Sequence, residues 1–327
     1  MTNTTEYHID QFLKFEKMSP GSIPFSVSFD FKKHKGHVVF GFIVHGNEVG
    51  PLAALTQAIV NLFEQKLNYG GKVTFFLGNV PAAQKNVRFV EADLNRSFGS
   101  SQTQSQERKR ACEIMTLLQT CDVFFDFHQT IMPSYFPFYI FPMHEKSYLW
   151  ARAAGTAQSF VTRKMGQPLS ALGMCTDEFV RSLDKVGVTV ELGEQGFRPE
   201  CELLANQIIR RTLHNADKVF LRNVPIKKLA QKNEDFRFFS VRHRESFGHP
   251  LKRLNPGFCN FHKVTRGMVL GADEKGNPLE CAQDGFLLFP KYPVRNEKNE
   301  AVLPLPGELF VIMNSQQNTF LCQQKNT

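Results

Sequence analysis

Apolar runs and amphipathic stretches alternate along the chain from His37 to about residue 220. The run His37–Val44 is apolar and rich in β-branched residues, which is typical of a strand buried on both faces. Lys72–Leu77 shows the same pattern. Between these runs, Pro51 occupies a first-turn position that helices tolerate, and an apolar stripe follows at helical spacing, formed by Leu52, Leu55, Ile59, Leu62 and Phe63. The pattern predicts a strand, a helix and a second strand.

The same alternation continues downstream. Further strands are predicted at Cys121–Asp126, Pro137–Phe141 and Val186–Val190, and further helices at Ser105–Gln119, Tyr148–Val161 and Cys201–Phe220. Strands that alternate with helices favour a mostly parallel sheet covered by helices on both faces. We therefore expect an α/β fold with a mostly parallel or mixed sheet flanked by helices.

The pattern of apolar runs and turn residues changes after residue 221. Short apolar runs, such as Phe236–Val241, Gly285–Phe289 and Glu308–Ile312, are separated by turns rich in Gly, Pro and Asn. This pattern is typical of a small β domain. We predict a larger domain over residues 1–221 and a smaller C-terminal β domain over residues 222–327 that caps the cleft of the first.

The composition narrows the class of protein. The 327 residues carry a formal net charge of +8, but the basic residues are scattered, and no run interleaves them with aromatic residues as in a nucleic-acid-binding module. A small anionic substrate explains a positive cleft equally well, so we expect no nucleic-acid partner. The seven cysteines contain no CxxC pair, which indicates neither a disulfide framework nor a cysteine-ligated zinc.

Targeting signals are not apparent in the sequence. No apolar stretch approaches the roughly 20 residues of a membrane span, and the N-terminal residues do not resemble a secretory signal. We expect no membrane association and a cytoplasmic location. The sequence is compatible with a homo-oligomer but does not fix the oligomeric state.

Two histidines and a carboxylate follow predicted strands. His45-Gly-Asn-Glu48 comes directly after His37–Val44, and His128 follows Cys121–Asp126. Open α/β sheets bind ligands at the carboxyl ends of their strands, so we expect these three side chains to lie close together. Two imidazoles and a carboxylate are the ligand set of a catalytic zinc that keeps one position open. The alternative is that each histidine is partly buried and hydrogen-bonded to the backbone.

Further motifs follow in order. Arg88 lies seven residues before the Asn95-Arg96 pair of Asp93-Leu-Asn-Arg-Ser-Phe98, and Asp126-Phe-His128 and Val190-Glu191-Leu-Gly193 come later. With these motifs the sequence resembles the succinylglutamate desuccinylase and aspartoacylase family, relatives of the zinc carboxypeptidases. The family's domain plan extends over nearly the whole chain. The resemblance implies a zinc carboxypeptidase-like fold and zinc-dependent hydrolysis of the amide bond of an N-acyl amino acid.

The resemblance also implies residue roles. One zinc ion per chain would be held by His45, Glu48 and His128. Arg88 would polarise the scissile carbonyl. Glu191 would act first as the general base and then as the general acid.

A site for the substrate carboxylate is implied as well. Asn95 and Arg96 would bind this carboxylate. Arg181 lies ten residues before Glu191, as does a substrate-carboxylate arginine in aspartoacylases. The family's C-terminal active-site tyrosine has no clean match, and Tyr292 is the nearest candidate.

Chemistry supports these roles and leaves two points open. Amide hydrolysis at neutral pH needs an activated water and a carboxylate that moves the proton to the leaving amine. Glu191 follows a predicted strand, but Glu194, three residues on, competes for this role. Asp126 shares a strand face with His128 and would orient its ring, or it is a plain structural aspartate.

The sequence is therefore compatible with three functions. A deacylase of small anionic N-acyl amino acids fits best. A metallocarboxypeptidase would share the zinc site, but a C-terminal domain that caps the cleft would exclude a polypeptide. A catalytically silent binding protein on the same scaffold needs no general base, so the presence of Arg88 and Glu191 argues against it.

Overall fold

The computed structural model describes residues 4–99, 104–163, 173–230, 236–303 and 305–316. Within these ranges the helices are α1 (Thr5–Met18), α2 (Leu52–Phe63), α3 (Val80–Gln84), α4 (Gln106–Leu118), α5 (Glu145–Ala154), α6 (Thr176–Ser182), α7 (Pro199–Ala216) and α8 (Ile226–Ala230). Among these helices, none combines the length and the apolar character that a membrane span requires.

The described strands form one large sheet and one small sheet. In chain order they are β1 (Ser26–Asp30), β2 (His37–Phe42), β3 (Lys72–Leu77), β4 (Val123–Thr130), β5 (Phe138–Ile140), β6 (Ser159–Thr162), β7 (Val186–Glu194), β8 (Arg237–Ser246), β9 (Arg253–Leu254), β10 (Lys263–Val264), β11 (Val269–Ala272), β12 (Pro278–Glu280), β13 (Gly285–Leu288) and β14 (Glu308–Gln316). The large sheet has the order β1-β3-β2-β4-β7-β5-β6-β8-β14-β13-β10, and the small sheet has the order β12-β11-β9.

The centre of the large sheet is parallel and buried. β2 pairs in parallel with β3 and β4, and β4 pairs in parallel with β7. Successive side chains of a strand point to opposite faces. Phe40 and Phe125 accordingly join the apolar cluster that includes residues of α2 and α7, whereas Val39 and Phe124 join the cluster with residues of α4 and α6. Helices therefore cover both faces, and the predicted α/β fold is confirmed.

Several predicted elements extend further than the sequence pattern indicates. The strand Lys72–Leu77 has its predicted bounds. In contrast, β4 continues to Thr130 and β7 continues to Glu194. His128 and Glu191 thus lie within strands rather than after them. The predicted helix Cys201–Phe220 is α-helical only as far as Ala216 and then continues as a π-helical segment.

The prediction of one helix over Tyr148–Val161 is wrong. α5 ends at Ala154, and the next residue, Gly155, adopts a left-handed conformation with φ of 61° and caps the last turn through its N–H. The following residues form β6, where Phe160 pairs with Tyr139 of β5 and with Phe238 of β8. A short apolar run fits a helix stripe or a buried strand equally well, and here the tertiary pairing decides.

The C-terminal strands extend the same sheet. β8 pairs in parallel with β6, from Ser159 opposite Arg237 to Thr162 opposite Ser240, and β14 and β13 follow in antiparallel orientation. The sheet is therefore continuous across residue 222, while the division into domains at that position stays a prediction. The segment after β13 brings Phe289 and Lys291 to a pocket at the carboxyl edge of the central strands.

Candidate active site

The turn after β2 positions two of the predicted metal ligands. The Glu48 N–H donates to His45 O at 3.1 Å, which closes a tight turn over His45-Gly-Asn-Glu48. A Cβ on Gly46 would lie only 2.4 Å from the backbone of Ala82 and Ala83, so this turn has no room for a side chain at residue 46. The close packing against α3 fixes the direction in which both side chains leave the turn.

His45, Glu48 and His128 form one buried cluster. His45 Nδ1 lies 2.8 Å from Glu48 Oε1, and His128 Nδ1 lies 2.8 Å from Glu48 Oε2. The two Nδ1 atoms are 3.2 Å apart. Each of the three residues is at most 4% exposed. The sequence prediction that they meet is confirmed, because one potential ligand atom from each lies within 4.8 Å of the others.

The donor set fits a divalent metal. Burial alone would raise the pKa of Glu48, but His45 and His128 outweigh it and hold the pKa well below its usual range. A buried carboxylate and two converging imidazole nitrogens offer the mixed oxygen and nitrogen ligands that zinc takes in catalytic sites. They also leave room for further ligands on the pocket side, because all three residues line the pocket.

The far nitrogens of both imidazoles face carboxylates. His45 Nε2 lies 3.2 Å from Asp93 Oδ1, and His128 Nε2 lies 3.0 Å from Asp126 Oδ2. Metal-binding histidines commonly donate their other N–H to a carboxylate, which fixes the tautomer and the ring orientation. The sequence left open whether Asp126 orients the His128 ring or is a plain structural aspartate, and the structure brings its Oδ2 within 3.0 Å of that ring. The sequence interpretation assigned no role to Asp93, although it begins the motif that contains Asn95.

Arg88 lies at the rim of the cluster. Its Nε and Nη2 donate to Asp93 Oδ2 at 3.1 and 3.0 Å, in a fork that holds the guanidinium in one orientation. Its Nη1 is 3.8 Å from Glu48 Oε1, and the side chain is 32% exposed. Arg88 Nη2 also lies 2.7 Å from His45 Nε2, so the guanidinium lies beside the candidate metal ligands and lines the pocket.

A buried glutamate on α4 holds the segment that follows Arg88. Glu107 is 1% exposed, and its carboxylate accepts from the N–H groups of Val90, Glu91 and Ala92 at 2.7 to 3.3 Å. These bonds outweigh the effect of burial, which would raise the pKa, and lower it below the usual value. Sequence inspection missed this role because nothing in the local pattern links residue 107 to residues 90–92.

Asn95 and Arg96 lie in a 3₁₀ turn, Leu94–Arg96, at the pocket. Asn95 Oδ1 accepts from the N–H and the hydroxyl of Thr176 at 2.9 and 2.8 Å, which fixes the amide. Its Nδ2 lies 3.4 Å from His128 Nε2. Arg96 Nη1 donates to Asn95 O and to Cys175 Sγ, both uncharged acceptors. Both predicted carboxylate-binding residues thus line the pocket.

Glu191 and Glu194 have different environments. Glu191 pairs in register with His128, lines the pocket and is 8% exposed. Burial and the charge of Glu48 raise the pKa of Glu191 to about 7. The Glu194 side chain is 38% exposed, forms an ion pair with Arg198 at 2.7 Å and does not contribute to the pocket wall. The geometry therefore favours Glu191 over Glu194 as the acid–base group.

Arg181 and Tyr292 lie outside the described pocket wall. Arg181 Nη1 donates to Asp177 Oδ2 at 2.5 Å and to Gly187 O at 2.8 Å. The Tyr292 hydroxyl donates to Asn255 O at 2.8 Å and accepts from Phe258 N at 3.1 Å. Both side chains are thus engaged elsewhere, and their roles in substrate binding stay predictions.

The pocket is small and opens to solvent. Its cavity volume is about 110 Å³. Its wall combines the candidate metal ligands and polar groups with a C-terminal contribution from Phe289 and Lys291. The sequence signal for Lys291 was only its position next to Tyr292.

Known proteins are similar to this chain in sequence and in fold. Residues 43–219 match the model of the succinylglutamate desuccinylase/aspartoacylase catalytic domain. The succinylglutamate desuccinylase of Ectopseudomonas mendocina is 31% identical over 293 residues, which cover 81% of this chain and 82% of the relative. That of Pseudoalteromonas atlantica is 26% identical over 321 residues, which cover 89% of this chain and 87% of the relative.

The fold likeness extends over nearly the same length. The X-ray structure of the succinylglutamate desuccinylase from Vibrio parahaemolyticus superposes with a TM-score of 0.66 at 15% sequence identity. The superposition covers 89% of this chain and 86% of that structure. The large sheet and the C-terminal strands are therefore an arrangement that this chain shares with solved structures.

Proposed function

Because this chain belongs to the succinylglutamate desuccinylase/aspartoacylase family, we propose that it is a zinc-dependent amidohydrolase that removes the acyl group from a small N-acyl amino acid. The observation that carries this proposal is the position of Glu191. A buried carboxylate whose pKa is raised to about 7 lies in the same pocket as a metal-binding cluster. Binding alone needs no such group, whereas amide hydrolysis does.

His45, Glu48 and His128 would hold the metal. Their converging ligand atoms, within 4.8 Å of one another, support this assignment. When bound at such a site, zinc lowers the pKa of a water molecule and polarises a carbonyl group. Asp93 and Asp126 lie within 3.2 Å of the far nitrogens of the two rings, and each Nδ1 faces the cluster.

Glu191 would move the proton. A pKa of about 7 lets the carboxylate accept a proton from water at neutral pH and return it to the leaving amine. Glu191 Oε2 is buried and has no hydrogen-bond partner among the described residues, so no described protein group competes for it. Burial in the pocket wall keeps bulk water from competing for the same oxygen.

Arg88 and the Asn95-Arg96 pair would bind the substrate. The fork to Asp93 fixes the Arg88 guanidinium, which then donates to the scissile carbonyl as negative charge develops on it. The Asn95 amide and the Arg96 guanidinium would take a substrate carboxylate. Arginine suits this task because its planar donors match the two oxygens.

A hydrolysis screen of the zinc-loaded protein tests the proposal. Candidate substrates are N-acetyl, N-succinyl and N-formyl amino acids, with short peptides as the comparison set. We expect hydrolysis of at least one N-acyl amino acid, lost after chelation and restored by zinc, and little release of amino acids from peptides. Release of C-terminal amino acids from peptides would instead indicate a carboxypeptidase. Binding of N-acyl amino acids without hydrolysis would indicate a binding protein.

A further inference from the structure

The strand that carries Glu191 contains a bulge directly after this residue. In the parallel pairing of β4 with β7, β4 advances by two residues, from His128 to Thr130, while β7 advances by three, from Glu191 to Glu194. Gln129 alone therefore lies opposite two residues of β7. Bulges are rare between parallel strands, and next to active sites they redirect a side chain.

Gly193 gives this bulge a backbone conformation that other residues rarely adopt. Its φ is 117°, in the region that favours glycine. A Cβ at this position would meet nothing within 4 Å, so the conformation rather than the available space requires glycine. The backbone turns away from the regular strand directly after Glu191.

The Gln129 side chain holds β7 beyond the bulge. Its Nε2 donates to Glu194 O at 2.7 Å and to Gly196 O at 3.0 Å. Its Oε1 accepts from the Gly50 N–H at 2.7 Å, and the residue is 2% exposed. Two backbone carbonyl groups engage both amide hydrogens, so the side chain has no donor left for a substrate, although the residue lines the pocket.

The same amide connects β7 to the turn that carries two candidate metal ligands. Gly50 follows Glu48 in this turn, and the Gln129 N–H donates to Glu48 Oε2 at 3.1 Å. A Cβ on Gly50 would lie within 2.5 Å of both Gln129 Nε2 and Gly196 O, so the three segments are in direct contact. One side chain thus fixes the end of the strand beyond Glu191 relative to the candidate metal cluster.

We propose that Gln129 is a positioning residue: by holding β7 beyond the bulge, it aims the Glu191 carboxylate at the candidate metal cluster. The inference rests on the proposed function, in which Glu191 moves the proton. This task requires the carboxylate to reach both the attacking water and the leaving nitrogen, and a displacement of about 1 Å can cost roughly 100-fold in rate. Without the three side-chain bonds, β7 relaxes beyond the bulge and Glu191 loses its fixed direction.

A double-mutant cycle tests whether Gln129 acts through Glu191. Gln129→Met keeps the length of the side chain and removes its three hydrogen bonds. On the N-acyl amino acid that the hydrolysis screen identifies, we expect this variant, loaded with zinc, to lose roughly tenfold or more in kcat, with KM changed by less than about twofold and zinc content unchanged. In the Glu191→Gln background, the same substitution lowers kcat by less than about twofold, because the group that it positions is already lost.

Gly193→Ala tests the bulge independently. The φ of 117° disfavours alanine while no atom blocks its Cβ, so the backbone shifts and kcat falls, as in Gln129→Met. Gly276→Ala imposes similar strain, at φ of 84° in the turn between β11 and β12, and leaves kcat unchanged. If Gln129→Met does not fold, Gly193→Ala takes its place in the cycle.

Gln195→Met is the matched control for Gln129→Met. Gln195 lies in the segment that Gln129 holds, but its side-chain nitrogen has no hydrogen-bond partner among the described residues. We therefore expect Gln195→Met to keep the kcat, the KM and the zinc content of the wild type.

Four outcomes would count against this role. An unchanged kcat in Gln129→Met, or the same factor of loss with and without Glu191, would show that Gln129 does not act through Glu191. A loss of zinc would place its effect on the metal ligands, and a raised KM at unchanged kcat would make it a substrate contact. A wild type that hydrolyses no N-acyl amino acid would instead overturn the proposed function, and the inference with it.

Discussion

Both nitrogens of each imidazole in the cluster face other polar side chains of the site. The Nδ1 atoms of His45 and His128 face Glu48, and their Nε2 atoms face Asp93 and Asp126. A carboxylate behind a ring fixes its tautomer and makes the front nitrogen a better ligand. Single substitutions therefore test these roles directly, because each one removes a single potential ligand or hydrogen-bonding group from the site.

Metal content is the first of these tests. We expect about one zinc per chain, lost in His45→Ala and in His128→Ala, because three protein ligands are the usual minimum for a catalytic zinc. Metal analysis of the purified, folded variants measures this. His249→Ala, which changes an exposed histidine far along the chain, serves as the control and keeps its zinc. Full zinc occupancy in either ligand variant would contradict the assignment.

The acid–base role separates two neighbouring glutamates. Glu191→Gln keeps zinc but lowers kcat by roughly 100-fold or more, in line with typical acid–base contributions. Glu194→Gln changes kcat little, because the Glu194 side chain is 38% exposed and pairs with Arg198. Steady-state kinetics of both variants decides between them, and the reverse pattern would exchange the two roles.

Carboxylate recognition is tested at Arg96. Arg96→Lys keeps the charge but loses the planar fork, so kcat/KM on the true substrate falls by roughly tenfold or more. A substrate with the carboxylate amidated is poor for the wild type and little affected by the substitution. Equal cleavage of free-acid and amidated substrates by the wild type would rule out carboxylate recognition.

Sequence motifs predicted the residues that lie within them, but not the site residues that only the fold brings near them. His45, Glu48 and His128 follow apolar runs, and the edge of a parallel sheet brings such positions together. Lys291 has no such signal, because its place depends on a long C-terminal connection. Asp93 was within reach of the sequence, since it begins the motif of Asn95, but only the fold shows that it lies behind His45.

At the scale of elements, α4 supports the segment that carries the residues proposed to bind the substrate. The Glu107 carboxylate binds three consecutive N–H groups, those of Val90, Glu91 and Ala92. This arrangement holds the chain between Arg88 and Asn95 in one conformation. Secondary-structure patterns alone could not predict it, just as they could not show that Ser159–Thr162 is a strand.

Removal of this support should loosen the active site. Glu107→Gln weakens the acceptor for buried N–H groups, so we expect a loss of stability of about 1–3 kcal/mol and a lower kcat/KM, with zinc retained because the metal ligands lie on other segments. Glu113→Gln, on the same helix but with a side chain that is 44% exposed, is the control and should change stability little. An unchanged kcat/KM in Glu107→Gln would show that the segment keeps its position without this carboxylate.

At the scale of the whole molecule, one sheet unites the two parts of the pocket. The candidate metal ligands and Glu191 lie on β4, β7 and the turn after β2, while Phe289 and Lys291 follow β13 at the far side of the same sheet. The sequence predicted both the α/β pattern and the small C-terminal strands. It could not predict that β8 would pair with β6, because strand partners far apart in sequence leave no local signal.

The continuity of the sheet has a consequence for solubility. β6 contributes Phe160 and Val161, both at most 2% exposed, and its open side is occupied by β8. A chain that stops at residue 221 would leave this buried strand with unpaired N–H and C=O groups, to which another copy can add its own strand. We expect such a truncated chain to form larger assemblies in light scattering than the full chain does. A dispersed truncated chain would contradict this. On this prediction, the segment after residue 221 both completes the pocket and covers the edge of β6.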